Sequence, residues 1–216
     1  IKVIYTFFYF SFTLLSPCTN NREVSSLEEY LKWLNDQDNG LVKTKYVNGL
    51  ELTIKYLPVE YLVYQDLKNE KSHTENYKDS LVKFYEKSMT FLMSIGPDER
   101  KQQGGDIMFQ GVRNYKEYSE RVYSMNFDME QFITLKTDKR EYTPVLSTLE
   151  NVYGLVAKRN IIFVFVPSKN NPKDLLETEK YDFVYEDELF GLGTNHFVFN
   201  KNDIDNLPKI NFWYNI

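Results

Sequence analysis

The sequence predicts an α+β fold, with a mainly antiparallel sheet, an N-terminal hairpin and several packed helices. Three observations lead there. Helical-period apolar stripes occupy residues 25–34 and 74–94, and the segment 114–133 is mainly helical in character. An Asn48-Gly49 pair separates two alternating runs, a strong hairpin signal. From about residue 141 onward, short β-branched and aromatic runs follow one another. Regular strand–helix alternation is missing, which argues against a doubly wound parallel sheet and for segregated helices and strands.

Taken in order, "VSSLEEYLKWLND" opens the first helix. Ser25 or Ser26 is placed to cap it, with Glu28 or Glu29 three residues on. Leu27, Tyr30, Leu31 and Leu34 form one stripe, and Gly40 in "NDQDNG" stands near its C-terminal end. "LVKTKYVNGLELTIKYLP" is the hairpin. A two-residue loop would set Val47 opposite Leu50, Lys45 opposite Leu52 and Lys43 opposite Ile54, with lysines on the apolar face. A three-residue loop, Val47-Asn48-Gly49, sets Tyr46 opposite Leu50 and Lys45 beside Glu51 on the outer face. Because a one-residue slip exchanges faces, the three-residue loop with a bulge at Gly49 is the expected register. Pro58 stops the strand and "VEYLVYQDLKN" reads as helix. Ser72 and Glu75 have capping-box spacing ahead of a long helix from about 74 to 94. The segment 96–106 reads as a loop and "IMFQGV" as a short strand. "NIIFVFVP" (160–167) reads as a central buried strand. "KYDFVYEDE", "NHFVFN" and "KINFWYN" follow as strands, with "KNDIDNLP" as a turn of helix between the last two.

A chain of 216 residues suffices for one globular domain with its own core. Its formal net charge of −5 lacks the basic footprint that nucleic acid requires, and does not favour electrostatic docking on anionic lipid. The first eighteen residues differ from the rest. Lys2 precedes a mostly apolar run from Val3 to Leu15. That run is shorter than the roughly 20 residues needed to span a bilayer, and it suits the hydrophobic region of a signal peptide. Immediately after it stands Cys18, the one cysteine of the chain, so no internal disulfide exists.

Leu15-Ser16-Pro17-Cys18 resembles the lipobox of bacterial lipoproteins, with Pro17 where that family usually carries Gly, Ala or Ser. The resemblance implies diacylglycerol attachment at the Cys18 sulfur and cleavage before it. Residues 1–17 are then a lipoprotein signal peptide, 18–24 the lipidated cysteine and a short tether, and 25–216 the globular domain. With a composition rich in Lys, Asn, Tyr and Phe and holding a single Ala, the chain is similar in style to uncharacterised Bacteroidota lipoproteins. Thr19 rather than Asp follows the cysteine. By family analogy this implies an outer-membrane address, in the periplasmic leaflet or at the cell surface, with the membrane held through the lipid and an envelope protein as partner.

The body offers little recognisable chemistry. His73 and His196 are far apart, with no HExxH and no second cysteine, so no metal site is expected. No phosphate loop, dinucleotide fingerprint or G-x-S-x-G elbow occurs, and no cofactor is expected. "NDQDNG" fails as a calcium loop because Tyr46 stands where a bidentate Glu belongs. The most site-like stretch is "YEDELFGLGTNH" (185–196), where Asp187, Glu188 and His196 flank a glycine loop. Two functions therefore stand open: a non-catalytic interaction or accessory subunit of an envelope assembly, or a protein that binds or hydrolyses a glycan or other small ligand at 185–196.

Overall fold

The structure, a computed structural model, describes residues 23–68, 74–101, 105–152, 156–169, 171 and 173–210. Cys18, Ser72, His73 and the end of "KINFWYN" lie outside the described residues. The elements run β1 (Glu23–Val24), α1 (Leu27–Asn35), β2 (Val42–Val47), β3 (Leu50–Leu57), α2 (Val59–Leu67), α3 (Glu75–Tyr85), β4 (Met89–Pro97) and α4 (Tyr115–Phe127). They continue with β5 (Ile133–Lys136), β6 (Glu141–Tyr142), β7 (Leu146–Leu149), β8 (Arg159–Phe165), α5 (Lys173–Leu176), β9 (Lys180–Asp187), β10 (Gly193–Asn200), α6 (Lys201–Asp205) and β11 (Lys209–Ile210). The fold is α+β. One sheet has the order β2-β3-β4-β8-β7 and a second β10-β9-β5-β6, both antiparallel throughout. The parallel pair β1-β11 is separate, and it brings Glu23 and Val24, read above as tether, onto the body with Val24 buried.

Side chains alternate across a strand, so each sheet presents one apolar face. Leu52 and Ile54 of β3, Phe91 and Met93 of β4, and Phe163 and Phe165 of β8 form the inner face of the larger sheet. Tyr181, Phe183 and Phe199 form that of the smaller. The faces meet through rings. Phe91 lies 5.5 Å from Phe183 and 5.2 Å from Phe199 between ring centroids, and Phe183 lies 5.9 Å from Phe163. α1 is capped as its sequence requires. Ser26 Oγ accepts from the Glu29 amide at 3.2 Å, while Glu29 accepts from the Ser25 amide at 3.3 Å.

Three expectations are corrected. The hairpin has a two-residue loop, with Val47 opposite Leu50, Lys45 opposite Leu52 and Lys43 opposite Ile54. Asn48 (φ 51°) and Gly49 (φ 83°) both adopt the left-handed conformation of a type I′ turn, whose twist matches the strands. The outer face supplies the rest of the reason. There the Tyr46 ring lies under the Arg100 guanidinium, 3.1 Å from its carbon, and Thr44 bonds Thr53 at 2.9 Å. Arg100 is held by two side-chain bonds of 2.9 Å to Asp98, whose amide donates to Gly49 at 2.9 Å. The lysines tolerate the inner face because β2 is an edge strand and their stems reach solvent.

The expected helix 74–94 is also two elements. α3, capped by Thr74 rather than Ser72, ends at Tyr85, and Met89–Pro97 is β4, paired on both sides. A run that is apolar at nearly every position fits either period, and pairing with β3 and β8 decides it. "IMFQGV" is not a strand. Ile107–Phe109 is a 3-10 turn capped by Asp106, which accepts from the Met108 amide at 2.9 Å and pairs with the buried Arg159.

Phe91→Ala should destabilise the fold by about 3–5 kcal/mol in denaturant titrations, because it empties the junction between the sheets. A second expectation concerns pH. Hydrogen bonds from Arg100 hold the fully buried Asp98 carboxyl below the ordinary carboxylate range. A folded-state pKa lowered in this way adds stability above the unfolded value of about 3.9, and loses it as pH falls through the lower folded value. Asp98→Asn should therefore flatten the acid limb of stability against pH.

Candidate functional site

The glycine loop between β9 and β10 is organised by Asp187. Its Oδ1 accepts from the Tyr185 hydroxyl at 2.5 Å and the Leu189 and Phe190 amides at 2.9 and 3.1 Å. Its Oδ2 accepts from the Leu192 and Phe190 amides at 2.6 and 3.1 Å. Burial pushes the Tyr185 phenol well above its ordinary range, so it stays a neutral donor to the carboxylate. From α4, Arg121 donates to the carbonyls of Ile107 (3.1 Å), Gln110 (2.6 Å) and Leu189 (3.2 Å), and lies over the Phe190 ring. Both Asp187 oxygens are thus occupied by the loop itself.

The three residues singled out in this stretch do not converge. Glu188 is exposed at the loop. Asp187 pairs with Gly193 across the ladder, three residues or roughly 10 Å from His196, and points to the opposite face of the sheet. His196 instead places Nδ1 2.8 Å from Asp182 Oδ2.

His196 does line a cleft, one the sequence did not reveal. β2 and β10 are edge strands of different sheets, and contacts at their two ends set them antiparallel to each other. At one end Asn48 Nδ2 donates to the Gly191 carbonyl at 2.7 Å. At the other, Gly40 packs so closely on Asp203 that a Cβ would lie 2.4 Å from its carboxylate oxygen. Between these closures lies a cleft of about 420 Å³, lined by Gln37, Asp38, Val42 to Lys45, and His196 to Val198. Lys45 Nζ sits 5.3 Å above the Phe197 ring. Bonds of 2.9 Å from Tyr56 N to Leu41 O and from Lys201 N to Glu179 O set the phase of the two ladders. Antiparallel alternation then turns the main-chain groups of Val42, Thr44, His196 and Val198 toward the cleft. Two sequence signals, read otherwise above, would have pointed here: the preference of Asn-Gly for a two-residue loop, and the habit of edge strands to carry inward lysines.

A second surface lies at the opposite edge of the large sheet. Tyr123 and Phe127 of α4 and Val145 and Leu146 at β7 are exposed by 58, 64, 61 and 52 %. The two rings touch with centroids 5.2 Å apart, and a notch of about 250 Å³ opens between Phe127, Glu130, Leu146 and Ser147. β7 bears no charged side chain, and among the described residues no strand pairs with its outer edge.

Among the described residues no group of three or more His, Cys, Asp or Glu side chains is placed to hold a metal ion, and no helix is long and apolar enough to cross a membrane. No protein-family model matches the chain, and no curated protein matches it. The chain is similar to a crystal structure of a novel protein of unknown function from Burkholderia pseudomallei, at 9 % identity over 86 % of this chain and 94 % of that one, with a TM-score of 0.36. So slight a likeness carries no argument.

Asp187→Ala should cost roughly 2–3 kcal/mol of stability, since it leaves buried donors without an acceptor. Glu188→Ala at the exposed tip should be neutral within about 0.5 kcal/mol. Equal effects in thermal melts would contradict the assignment of Asp187 as the loop's organiser.

Proposed function

We propose that this chain is a lipid-anchored protein of a bacterial cell envelope, acting as a non-catalytic interaction or accessory subunit of an envelope assembly. The anchor rests on the lipobox resemblance at Cys18. Each buried methylene contributes about 0.8 kcal/mol, so the two chains of a diacylglycerol hold where one would not. The interaction role rests on one observation, the exposed apolar face of Tyr123, Phe127, Val145 and Leu146 beside the uncharged β7, whose outer edge no described strand pairs. Apolar side chains grouped around a notch mark interaction sites far more often than scattered ones do. A free strand edge within the patch suits a protein partner that adds an extended, uncharged segment. The address that accompanies the anchor is the outer membrane, in its periplasmic leaflet or at the cell surface.

A second reading is a glycan or other small ligand bound or hydrolysed at 185–196. The position of His196 in the β2–β10 cleft supports it. The occupied oxygens of Asp187 do not.

Mass spectrometry of the mature chain should find Cys18 at its N-terminus carrying diacylglycerol, and Cys18→Ala should release the protein from membranes. A soluble, unmodified wild type would overturn the anchor. For the interaction, crosslinking in membranes should capture one reproducible protein, and Leu146→Lys with Phe127→Glu should lose it while leaving the circular dichroism unchanged. If the same pair of substitutions instead dissolves a homodimer, the face belongs to a second copy and the accessory role falls.

A further inference from the structure

We infer that the β2–β10 cleft is a binding site for a small organic polyanion, held by Lys43 and Lys45 against the edge of β10 at His196 to Val198. This inference does not depend on the lipid anchor or on the apolar face at β7.

Three features of the cleft carry it. The first is unmatched positive charge. Neither Lys43 nor Lys45 forms an ion pair with any described residue, and Lys45 reaches only the Phe197 ring. Guarding a sheet edge explains why inward lysines sit on β2. It does not explain what faces them. Opposite charges across a gap stabilise adjoining strands, yet β10 presents His196, Phe197 and Val198 to the cleft in a chain holding 31 Asp and Glu. The carboxylates nearby are Asp38, which lines the cleft, Asp203, which closes its Gly40 end and accepts from Asn200, and Asp182, one oxygen of which lies 2.8 Å from His196 Nδ1. Positive groups gathered on a concave surface raise the local concentration of anions.

The second feature is a set of neutral donors. The free edges of both strands turn the N–H groups of Val42, Thr44, His196 and Val198, alternating with their carbonyls, toward the cleft. Hydrogen bonds from such groups to an ionised oxygen are shorter and stronger than those to a neutral one. The His196 ring lies on the other face of β10 from Phe197, with Nδ1 2.8 Å from Asp182 Oδ2.

The third feature is size and spacing. A groove of about 420 Å³, open to solvent along its length and bounded at its ends by the Asn48–Gly191 and Gly40–Asp203 contacts, is large enough for a small molecule. Lys43 and Lys45 are two positions apart on one face, which spaces their stems by roughly 7 Å. That spacing suits a ligand bearing two or more anionic groups on a short carbon frame. The Phe197 ring beneath Lys45 offers an apolar contact for that frame.

The test is an NMR titration of the full chain with citrate, with inorganic phosphate and with glucose as the neutral control. Citrate should give saturable shifts confined to residues 42–45 and 196–198, weakened as ionic strength rises toward about 0.5 M. Lys43→Gln with Lys45→Gln should weaken citrate at least tenfold, and Asp38→Asn should tighten it about two- to threefold. That opposite pair of effects separates binding from loss of fold. Citrate shifts that do not saturate, or that spread over the whole surface, would overturn the site, as would lysine variants that bind like wild type. Inorganic phosphate binding as tightly as citrate would overturn the two-point recognition.

Discussion

The ring of Phe91 holds the two sheets to one another. It meets Tyr56 and Phe165 within its own sheet and Phe183 and Phe199 across the interface, all with centroids within 5.9 Å. Tilted and edge-on contacts of this kind favour a few discrete arrangements over a sliding interface. Where one sheet sits on the other decides where β2 passes β10, and therefore whether a cleft exists there. The hairpin adds the second constraint. Tyr46 beneath Arg100, with Asp98 behind it, fixes which face of β2 turns inward. The lysines of the cleft are placed by contacts on the far side of their own strand.

Much of the architecture was legible in local chemistry. The Ser26–Glu29 cap, the buried strand in "NIIFVFVP" and the helical turn between the last strands all followed from signals a few residues long. The errors arose where local signals were degenerate. Residues 89–97 are apolar at nearly every position, and only pairing with β3 and β8, each distant in sequence, selects a strand. The hairpin register failed for a different reason. An argument from hydrophobic faces treats a lysine on the inner face as an error, whereas on an edge strand it is a device.

The candidate site was legible to a lesser degree. His196 was visible as one of two histidines beside a glycine loop, and it does line the cleft. Its neighbours there were not visible, because Lys43 and Lys45 lie some 150 positions away and reach it through the stacking of two sheets. Asp187 looked reactive for the reason that makes it structural. A carboxylate after a strand and before two glycines is suited to collect the amides of the tight loop that follows.

The two edges of the large sheet are unlike. β2 carries inward lysines, while β7 carries no charge and ends in exposed apolar side chains. At the level of this sheet one rim is guarded by charge and the other is bare. Association through that rim terminates after one step, because the newcomer finds no matching rim on the far side. A chain joined to others by this edge is thereby limited to finite complexes, and head-to-tail growth through the sheet is closed to it.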